Sequence, residues 1–463
     1  MYSQTMNTAR QGLISMETLK QAAASGEIDT VLVCLVDMQG RLMGKRFHVS
    51  NFIESAWKET HCCDYLLATD LEMATPDGYA SSSWQAGYGD YIMAPDMDTL
   101  RVLPWLEGTA MVLCDIIDHH THQPVPHSPR AVLKRQIERL AALGYSAMMA
   151  TELEFFLFKS SLDELRQQQY MNLEPLSAYN EDYHIFQTSK EEPVMRRLRN
   201  ALFAAGIPVE NTKGEAEAGQ EELNIRYSAA LDCADHHTIA KQATKEIAWQ
   251  QGHAATFLPK WQADKVGSAS HIHMSLWHDE QNAFYDADAQ HGMSSVMQHF
   301  VAGLIHYAPQ YTVLLAPYVN SYKRFMKGTF APTKIAWSVD NRTSGFRLCG
   351  ENTSAVRVEC RIPGSDVNPY LAQAALLAAG IKGIEDNMPL APAATGDMYE
   401  NDAVPDIPST LRDAIASFED ATLLKDAMGE EVVMHYLRCA QWEQEAFDSA
   451  VTQWEVARGF ERA

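Results

Sequence analysis

Three segments of the chain carry charged or polar side chains at every second position inside otherwise apolar runs. They are Glu152 and Glu154, then His271, His273 and Ser275, and then Arg357, Glu359 and Arg361. Side chains alternate between the two faces of a β-strand, so this spacing places each polar set on one face. Each segment alone is compatible with an edge strand that turns a hydrated face to solvent. Three of them in one chain favour a sheet whose polar face carries chemistry.

A fourth segment surrounds Gly219, which marks a bend or a close backbone approach, with carboxylates. The carboxylates are those of Glu215, Glu217, Glu221 and Glu222. If the four segments converge, at least four carboxylates and one imidazole meet in one place. Hard oxygen ligands with few nitrogens suit Mg²⁺ or Mn²⁺ better than zinc. So dense a cluster also needs cations, since neighbouring like charges cannot all stay ionised without them.

Arginines are frequent in the C-terminal part of the chain. They include Arg324, Arg342, Arg347, Arg357 and Arg361. Guanidinium groups bind phosphate and carboxylate in a bidentate way. Divalent metals beside several arginines, without a Ser-His-Asp order, indicate phosphoryl transfer from a nucleotide. Because the sequence contains no Walker loop and no strand-linked GxGxxG motif, the residues predict a metal-dependent, nucleotide-using enzyme outside both common phosphate-binding folds, acting on an anionic substrate.

The charge balance excludes several partners. Asp and Glu outnumber Lys and Arg by 60 to 37, and the formal net charge is −23. Nucleic-acid binding needs basic patches that release counterions, and anionic lipid repels so acidic a surface, so we expect neither a nucleic acid nor a membrane as partner. The polar start of the chain shows no secretory signal, no apolar run is long enough to span a bilayer, and the eight scattered cysteines lack CxxC pairs. These features predict a cytoplasmic protein with reduced thiols.

A polar, proline-containing break at 119–126 divides the chain. We place a small N-terminal domain at 1–120 and a larger domain at 121–463. In the larger domain strand-like and helical segments alternate, which predicts an α+β fold.

Two local patterns near this break make further predictions. The stretch 84–98 is rich in Gly, Tyr and Asp, which indicates an irregular loop. After the break, Ser128 and Gly144 bracket a helix over 130–143 as its N-cap and its C-terminal glycine.

Taken in order, the motifs resemble those of the glutamine synthetase family. They are Glu-x-Glu-Phe-Phe-Leu-Phe from Glu152, Glu-x-x-x-Gly-Gln-x-Glu from Glu215, Gly-Ser-x-x-His-x-His-x-Ser from Gly267, Asn-Ser-Tyr-Lys-Arg from Asn320, Asn-Arg-x-x-x-x-Arg from Asn341 and Arg-x-Glu-x-Arg-x-Pro from Arg357. The resemblance implies a small β-grasp-like N-terminal domain and a large catalytic domain with a curved antiparallel sheet. It also implies a homo-oligomer, a dodecamer of two hexameric rings with active sites between neighbouring subunits.

The resemblance also implies a role for each motif residue, with Mg²⁺ or Mn²⁺ as cofactor and ATP as cosubstrate. Two metal sites are implied, Glu154, Glu215 and Glu222 at the first and Glu152, His271 and Glu359 at the second. Nucleotide contacts are implied for Tyr227, His273, Ser275, Arg342, Arg347 and Arg357. Glutamate-binding positions are Arg324, Arg361 and Gly267. The catalytic roles fall to Asp37, Arg342 and Glu359, with Asp37 orienting or deprotonating the amine.

The implied reaction has two steps and one departure from the family pattern. The γ-carboxylate of L-glutamate attacks the γ-phosphate of ATP, and an amine then displaces phosphate from γ-glutamyl phosphate. In ammonia-using bacterial members a flap glutamate follows the Asn-Ser-Tyr-Lys-Arg motif, and here Phe330 stands in its place. A phenyl ring cannot accept a proton from ammonium, but it can line an apolar pocket for a substituent on nitrogen. The chain therefore resembles the γ-glutamyl-amine ligase branch.

The choice of amine depends on few residues. Trp84, Tyr88 and Met326 could line the pocket with Phe330, which favours a hydrophobic or aromatic amine such as aniline. Ethanolamine, an alkylamine and a polyamine stay open as substrates. The alternatives are an ammonia-using glutamine synthetase, a guanidino-kinase-like phosphotransferase and a scaffold without activity.

Overall fold

The computed structural model describes residues 12–85 and 87–463, and the polar start of the chain lies almost wholly outside this part. Two β-sheets of unequal size organise the described chain. The smaller sheet is built from the N-terminal part and the larger one from the remainder. Helices follow or cover both sheets.

The first sheet has five strands in the order β2-β1-β5-β4-β3. The strands are β1 (Thr30–Val36), β2 (Leu42–His48), β3 (Thr60–Cys63), β4 (Asp90–Val102) and β5 (Thr109–Asp118). Strands β1 and β5 pair in parallel and the other neighbours are antiparallel. Alternate residues of β1, such as Val31 and Val33, are fully buried in a core beneath this sheet.

The irregular loop predicted over 84–98 is wrong for its second half, because β4 begins at Asp90. Tyr91 and Met93 alternate into the core, but Pro95 and the three aspartates from Asp90 to Asp98 resemble a turn in sequence. A register shift after Asp96 lets the strand contain these residues and continue to Val102.

The second sheet carries the polar faces noted above. Its main path runs β13-β14-β15-β11-β6-β8-β7, with β9 and β10 on β6 and β12 on β11. The strands are β6 (Ser146–Phe158), β7 (Val209–Gly214), β8 (Gln220–Ile225), β9 (Ser228–Ala229), β10 (Ala254–Thr256), β11 (Ser270–His278), β12 (Gln281–Asn282), β13 (Trp337–Val339), β14 (Phe346–Cys349) and β15 (Arg357–Cys360). All pairings except β13 with β14 are antiparallel. The architecture confirms the expected α+β fold class with a curved sheet.

Fourteen α-helices lie in the described part of the chain. They are α1 (Met16–Ser25), α2 (Val49–Asn51), α3 (Pro129–Ala142), α4 (Leu162–Gln167), α5 (Ile185–Thr188), α6 (Glu192–Ala204), α7 (Ala230–Gln250), α8 (Ser295–Leu315), α9 (Val319–Tyr322), α10 (Pro369–Glu385), α11 (Leu411–Glu419), α12 (Thr422–Met428), α13 (Glu430–Ser449) and α14 (Gln453–Gly459). None of these described helices is long and apolar enough to span a bilayer.

Helix α3 confirms the helix predicted over 130–143 to within one residue at each end. Gly144 follows it with φ at 85°, in the left-handed region that ends helices. Ser128 occupies the N-cap position, but its side chain makes no capping hydrogen bond, so the predicted cap is only positional.

The largest core explains why the polar faces of the second sheet are free for chemistry. Ile272 and Met274 of β11 pack with buried residues of α8 and α10 in one cluster. Leu153 and Phe155 of β6 belong to a second cluster with α6 and α7. The residues between them therefore point to the opposite face.

Candidate active site

The strand register brings the polar residues of four strands together. Glu154 of β6 is opposite Glu222 of β8, and Glu152 is opposite His271 of β11. His273 is in turn opposite Glu359 of β15. The alternation predicted from sequence therefore forms one continuous polar face across four strands.

Glu154, Glu215 and Glu222 form what we call the first carboxylate cluster. One carboxylate oxygen from each lies within 4.8 Å of the others. Glu154 Oε2 accepts hydrogen bonds from the backbone N–H of Ala269 (2.7 Å) and from the Gln220 amide (3.3 Å). Lys213 pairs with Glu215, and the Ala216 N–H donates to Glu215 Oε2 (3.1 Å). The Asn224 amide donates to Glu222 Oε1 (2.8 Å).

Burial and mutual repulsion perturb the first carboxylate cluster. Burial, together with Glu215, raises the pKa of Glu154 to about 8. Burial, with Glu215, Glu152 and Glu154 as neighbours, raises the pKa of Glu222 to about 9. A cluster with three oxygen donors and so little compensating charge fits a hard divalent cation, which would favour the ionised forms.

Glu152, His271 and Glu359 form the histidine–carboxylate cluster, whose ligand atoms also lie within 4.8 Å of one another. His271 Nδ1 is 3.0 Å from Glu152 Oε2 and 3.5 Å from Glu359 Oε1. Burial and the nearby Arg361 lower the pKa of His271, which keeps its imidazole neutral. Neutral imidazole beside carboxylates is the protonation state that metal coordination requires.

The carboxylates of this second cluster are compensated, unlike those of the first. Burial opposes ionisation of Glu359, but Arg361 and the protonated His273 lower its pKa to about 2. Arg347 Nη1 lies 3.0 Å from Glu359 Oε2, and the Arg361 guanidinium pairs with Oε1. The guanidinium groups of two arginines therefore contact the same buried carboxylate.

The arginines expected at the nucleotide are only partly brought together. Arg347 bridges Glu359 and Asp340, and Arg357 Nε donates to His273 Nδ1 (3.2 Å). The side chain of Arg342 is exposed, and its backbone carbonyl accepts a hydrogen bond from Arg361 Nε (3.1 Å). Cationic groups thus line the histidine–carboxylate side of the sheet.

Arg324 and Gly267 lie against each other beside the first carboxylate cluster. Arg324 is buried and donates to the carbonyls of Ile362 and Arg361. A Cβ on Gly267 would lie 2.6 Å from Arg324 Cγ and 2.5 Å from the Pro259 carbonyl oxygen. Glycine at 267 is therefore what allows the arginine to occupy this place.

Tyr227 lies in the short connection between β8 and β9, and Ser275 lies on β11. The Tyr227 ring stacks with Trp277, with centroids 6.3 Å apart and planes at 21°. Ser275 Oγ accepts a hydrogen bond from the Trp277 indole (2.9 Å). An aromatic surface with an adjacent hydroxyl suits the binding of a planar base.

Phe330 occupies an exposed loop next to the arginines. Its side chain is 57% exposed, and its φ of 58° lies in the left-handed region. The Phe330 carbonyl accepts a hydrogen bond from Arg361 Nη2 (3.4 Å), and Ala331 next to it is held by the Tyr399 hydroxyl (3.0 Å). The backbone is thereby fixed while the ring faces outward.

Asp37 takes part in neither cluster. Its carboxylate is fully buried and accepts hydrogen bonds from Arg41 Nε (2.7 Å) and from the backbone N–H groups of Gln39 (3.0 Å) and Arg41 (2.8 Å). Burial raises its pKa, and Arg41 opposes the shift. A carboxylate engaged by three donors in its own turn is poorly placed to accept a proton from an amine, so its predicted role stays a prediction.

Two residues at the site were missed in the sequence. Gln220 donates to Glu154 and to the Gly267 carbonyl (3.1 Å), which links two motifs. Cys349 Sγ lies 3.4 Å from Glu359 Oε2. Cys349 is two residues after Arg347 on β14, so strand alternation alone would have placed it on the polar face.

Comparisons with known proteins agree with this geometry. Residues 126–459 match the family model described as glutamine synthetase, catalytic domain. A gamma-glutamylethanolamide synthetase, GlnA4 of Streptomyces coelicolor, is 46% identical over 451 residues, which cover 97% of this chain and 96% of that protein. A glutamate–isopropylamine ligase of a Pseudomonas species is 34% identical over 93% of this chain and 95% of its own length.

A solved structure of the GmaS/ADP complex superposes with a TM-score of 0.82 at 27% identity, covering 96% of this chain and 99% of that one. The matched region contains both clusters and all five arginines discussed above. The chain belongs to the glutamine synthetase family, as an ATP-dependent ligase that joins glutamate to an amine.

Proposed function

We propose that this enzyme joins the γ-carboxylate of L-glutamate to a short organic primary amine, with ATP and Mg²⁺ or Mn²⁺. The observation that carries the proposal is Phe330, an exposed aromatic ring held at the site by the Arg361 hydrogen bond to its carbonyl. A charged or proton-accepting group would serve ammonium at this place, whereas a phenyl ring serves a carbon substituent. The dodecamer, the cytoplasmic location and the residue roles stay predictions beside this proposal.

The first carboxylate cluster and the histidine–carboxylate cluster would hold the two divalent cations. When bound, such cations neutralise charge that develops on the transferred phosphoryl group. Arg347 and Arg357 would bind phosphate oxygens. Arg347 contacts Glu359 of the histidine–carboxylate cluster, and Arg357 contacts His273, which lies beside that cluster. Their positive charge would stabilise the same developing negative charge during attack by the γ-carboxylate of glutamate.

Arg324 and Arg361 would bind and orient glutamate. Both guanidiniums are buried and both use backbone carbonyls to fix their position. A fixed, desolvated guanidinium binds a carboxylate more strongly than an exposed one and aligns it for attack. Glutamate would then lie between the metals and the loop that carries Phe330.

The similarity to ligases of ethanolamine and isopropylamine supports a short aliphatic amine. An aromatic amine such as aniline is the second candidate, because Trp84 and Tyr88 form an edge-to-face pair with centroids 5.0 Å apart and Trp84 is exposed. In the dodecamer expected for the family this aromatic pair would belong to the neighbouring subunit's side of the site. A polyamine has less support, since the ring of Phe330 offers no negative charge.

An amine panel tests the proposal directly. Phosphate release from ATP is measured with glutamate, Mg²⁺ and, in turn, ammonium, ethanolamine, isopropylamine, aniline and a polyamine. We expect a short organic amine to give the highest kcat/KM. If ammonium exceeds every organic amine, the proposal fails. If no amine supports ADP formation, the alternative of an inactive scaffold is favoured instead, and ADP formation without glutamate would favour the phosphotransferase.

Replacing Phe330 by glutamate tests the residue that carries the proposal. Because Phe330→Glu removes an apolar wall and adds a charge, the ratio of kcat/KM for the best organic amine to that for ammonium should fall by about tenfold or more, as expected for one altered pocket contact. Phe203→Glu is the matched control, since Phe203 is an exposed phenylalanine on α6. An unchanged ratio in Phe330→Glu would place the amine pocket elsewhere.

A further inference from the structure

A third group of buried carboxylates lies on the other face of the second sheet. Glu221 and Glu222 are neighbours on β8, so their side chains point to opposite faces, and Glu222 belongs to the first carboxylate cluster. Glu221 meets Glu181 and Glu191, which lie in the segment that leads into α6. One carboxylate oxygen from each of these three lies within 4.8 Å of the other two. We call Glu181, Glu191 and Glu221 the back cluster.

The back cluster is shielded from solvent and largely without hydrogen-bond donors. The three side chains are between 0% and 1% exposed. Ser177 Oγ donates to Glu181 Oε1 (2.9 Å), but Glu181 Oε2 and Glu221 Oε1 have no hydrogen-bond partner among the described residues. Buried carboxylate oxygens without a partner are costly, so they point to a ligand that supplies positive charge.

Glu191 gives an independent indication of such a ligand. It is fully buried, and neither of its two carboxylate oxygens has a hydrogen-bond partner within the described part of the chain. It occupies the N-cap position of α6 without capping the helix with its side chain. The nearby guanidinium of Arg199 is engaged by Thr212 and Glu192 instead. The Glu191 side chain is therefore directed into the cluster, beside Ser177 and the other two carboxylates.

We propose that the back cluster binds a divalent cation with oxygen ligands, in addition to the two cations at the active site. Three carboxylates supply the hard ligands that Mg²⁺, Mn²⁺ and Ca²⁺ prefer. Oxygens bound to one such cation at roughly 2.0–2.6 Å lie at most about 5 Å apart, which agrees with the observed separation. The three glutamates of the site come from two segments, and the cation joins them.

The position of this cation connects it to the hairpin that carries the first carboxylate cluster. Ser177, which orients Glu181, also accepts a hydrogen bond from the backbone N–H of Gly219 (2.6 Å), between Glu215 and Glu222. Glu181 packs directly against Gly214 of β7. A Cβ at Gly214 would lie 2.7 Å from Glu181 Cγ, so the glycine leaves room for this side chain. The cation thus connects the segment before α6 to β7 and β8, on the face of the sheet opposite the first carboxylate cluster.

Counting bound Mn²⁺ on the full-length protein without substrates tests this inference independently of the amine. Equilibrium dialysis followed by electron paramagnetic resonance of free Mn²⁺ should give three sites per chain for the wild type and two for Glu191→Gln. Glu192→Gln is the matched control, because Glu192 is the next residue but lies outside the back cluster, and it should keep three. Two sites in both the wild type and Glu191→Gln would overturn the proposal. The carboxyl groups of the back cluster would then be stabilised by sharing protons instead of by a cation.

A second measurement covers the case in which Glu191→Gln does not fold. Crystals of the wild-type protein grown with Mn²⁺ should show an anomalous peak between Glu181, Glu191 and Glu221, as well as at the two active-site clusters. Peaks at the active site alone would overturn the proposal. Competition with Ca²⁺ and with Mg²⁺ in the same crystals identifies the cation that the back cluster prefers, since a displaced peak loses its anomalous signal.

Discussion

At the scale of single residues, Glu154 and Glu222 combine burial with repulsion from neighbouring carboxylates. Their pKa values are raised to about 8 and about 9 for these reasons. Glu359, equally buried, has its pKa lowered to about 2 because the positive charges of Arg361 and His273 favour its ionised form. The two clusters therefore differ in how much they depend on a cation, and the first carboxylate cluster depends on it more.

This difference predicts a pH dependence of metal binding. A divalent cation binds the ionised carboxylates, so binding to the first carboxylate cluster must release the protons that the raised pKa values retain near neutral pH. Between about pH 6 and about pH 9, the apparent affinity for Mg²⁺ or Mn²⁺ should rise by up to about tenfold per pH unit for each proton released. Titration calorimetry in buffers of different ionisation enthalpy measures both the affinity and the proton release.

The same shifts have a defined sign for stability. A glutamate whose pKa is raised in the folded state makes the metal-free fold less stable as the pH rises. The loss begins above the pKa of the glutamate in the unfolded chain and ends above its pKa in the folded protein. The increase of Tm caused by Mn²⁺ should accordingly grow from about pH 6 to about pH 9, and Glu222→Gln should reduce that growth. Metal affinity and Tm that do not vary with pH in this range would contradict the role of burial in the first carboxylate cluster.

At the scale of elements, the strands of the site were predictable because their pattern is local. Alternation around Glu152, His271 and Glu359 predicts which residues share a face, and the register confirms it. The pairing of Arg324 with Gly267 depends on contacts between segments distant in sequence. The burial of Asp37 in its own turn and the outward ring of Phe330 have the same kind of cause. The spacing of residues within one segment does not predict such tertiary contacts. The back cluster was missed in the sequence for the same reason.

The close contact of the loop at Gly267 with the loop after α9 predicts a strong effect of a single methyl group. Gly267→Ala places a Cβ 2.6 Å from Arg324 Cγ and 2.5 Å from the Pro259 carbonyl oxygen, so the arginine or the loop must move. We expect KM for glutamate to rise and kcat/KM to fall by up to about a hundredfold, as for an ångström-scale displacement of a substrate-binding group. Steady-state kinetics with varied glutamate measures the change.

Gly459→Ala is the control for this substitution, because a Cβ at Gly459, the last residue of α14, would lie 4.0 Å from the Cβ of Ala463, and neither glycine has a left-handed φ. It should leave KM for glutamate unchanged. The apparent affinity for ATP should change less than that for glutamate in Gly267→Ala, since the arginines of the nucleotide side lie on other strands. Equal losses for both substrates would indicate general unfolding instead of a displaced Arg324.

At the scale of the whole molecule, one buried arginine joins the two sheets. Arg130, at the start of α3, is 2% exposed and contacts Asp96 of β4 (3.0 Å) and Asp115 of β5 (2.7 Å). Its Nη2 also lies 2.9 Å from Asp235 of α7, which packs on the second sheet and accepts a hydrogen bond from the Tyr370 hydroxyl (2.6 Å). This guanidinium thereby connects the first sheet with the catalytic part, beside the hydrophobic cluster to which Leu113 of β5 and Leu202 of α6 both belong.

The final prediction follows from this connection. Arg130→Gln leaves Asp235 buried without its charge partner, and breaking a buried ion pair from one side costs about 3–5 kcal/mol of unfolding free energy. Lys134→Gln removes only a half-exposed partner of Asp115, for which at most about 1 kcal/mol is expected. Urea unfolding followed by tryptophan fluorescence compares the two variants. A loss of unfolding free energy in Arg130→Gln that is no larger than the loss in Lys134→Gln would contradict this role.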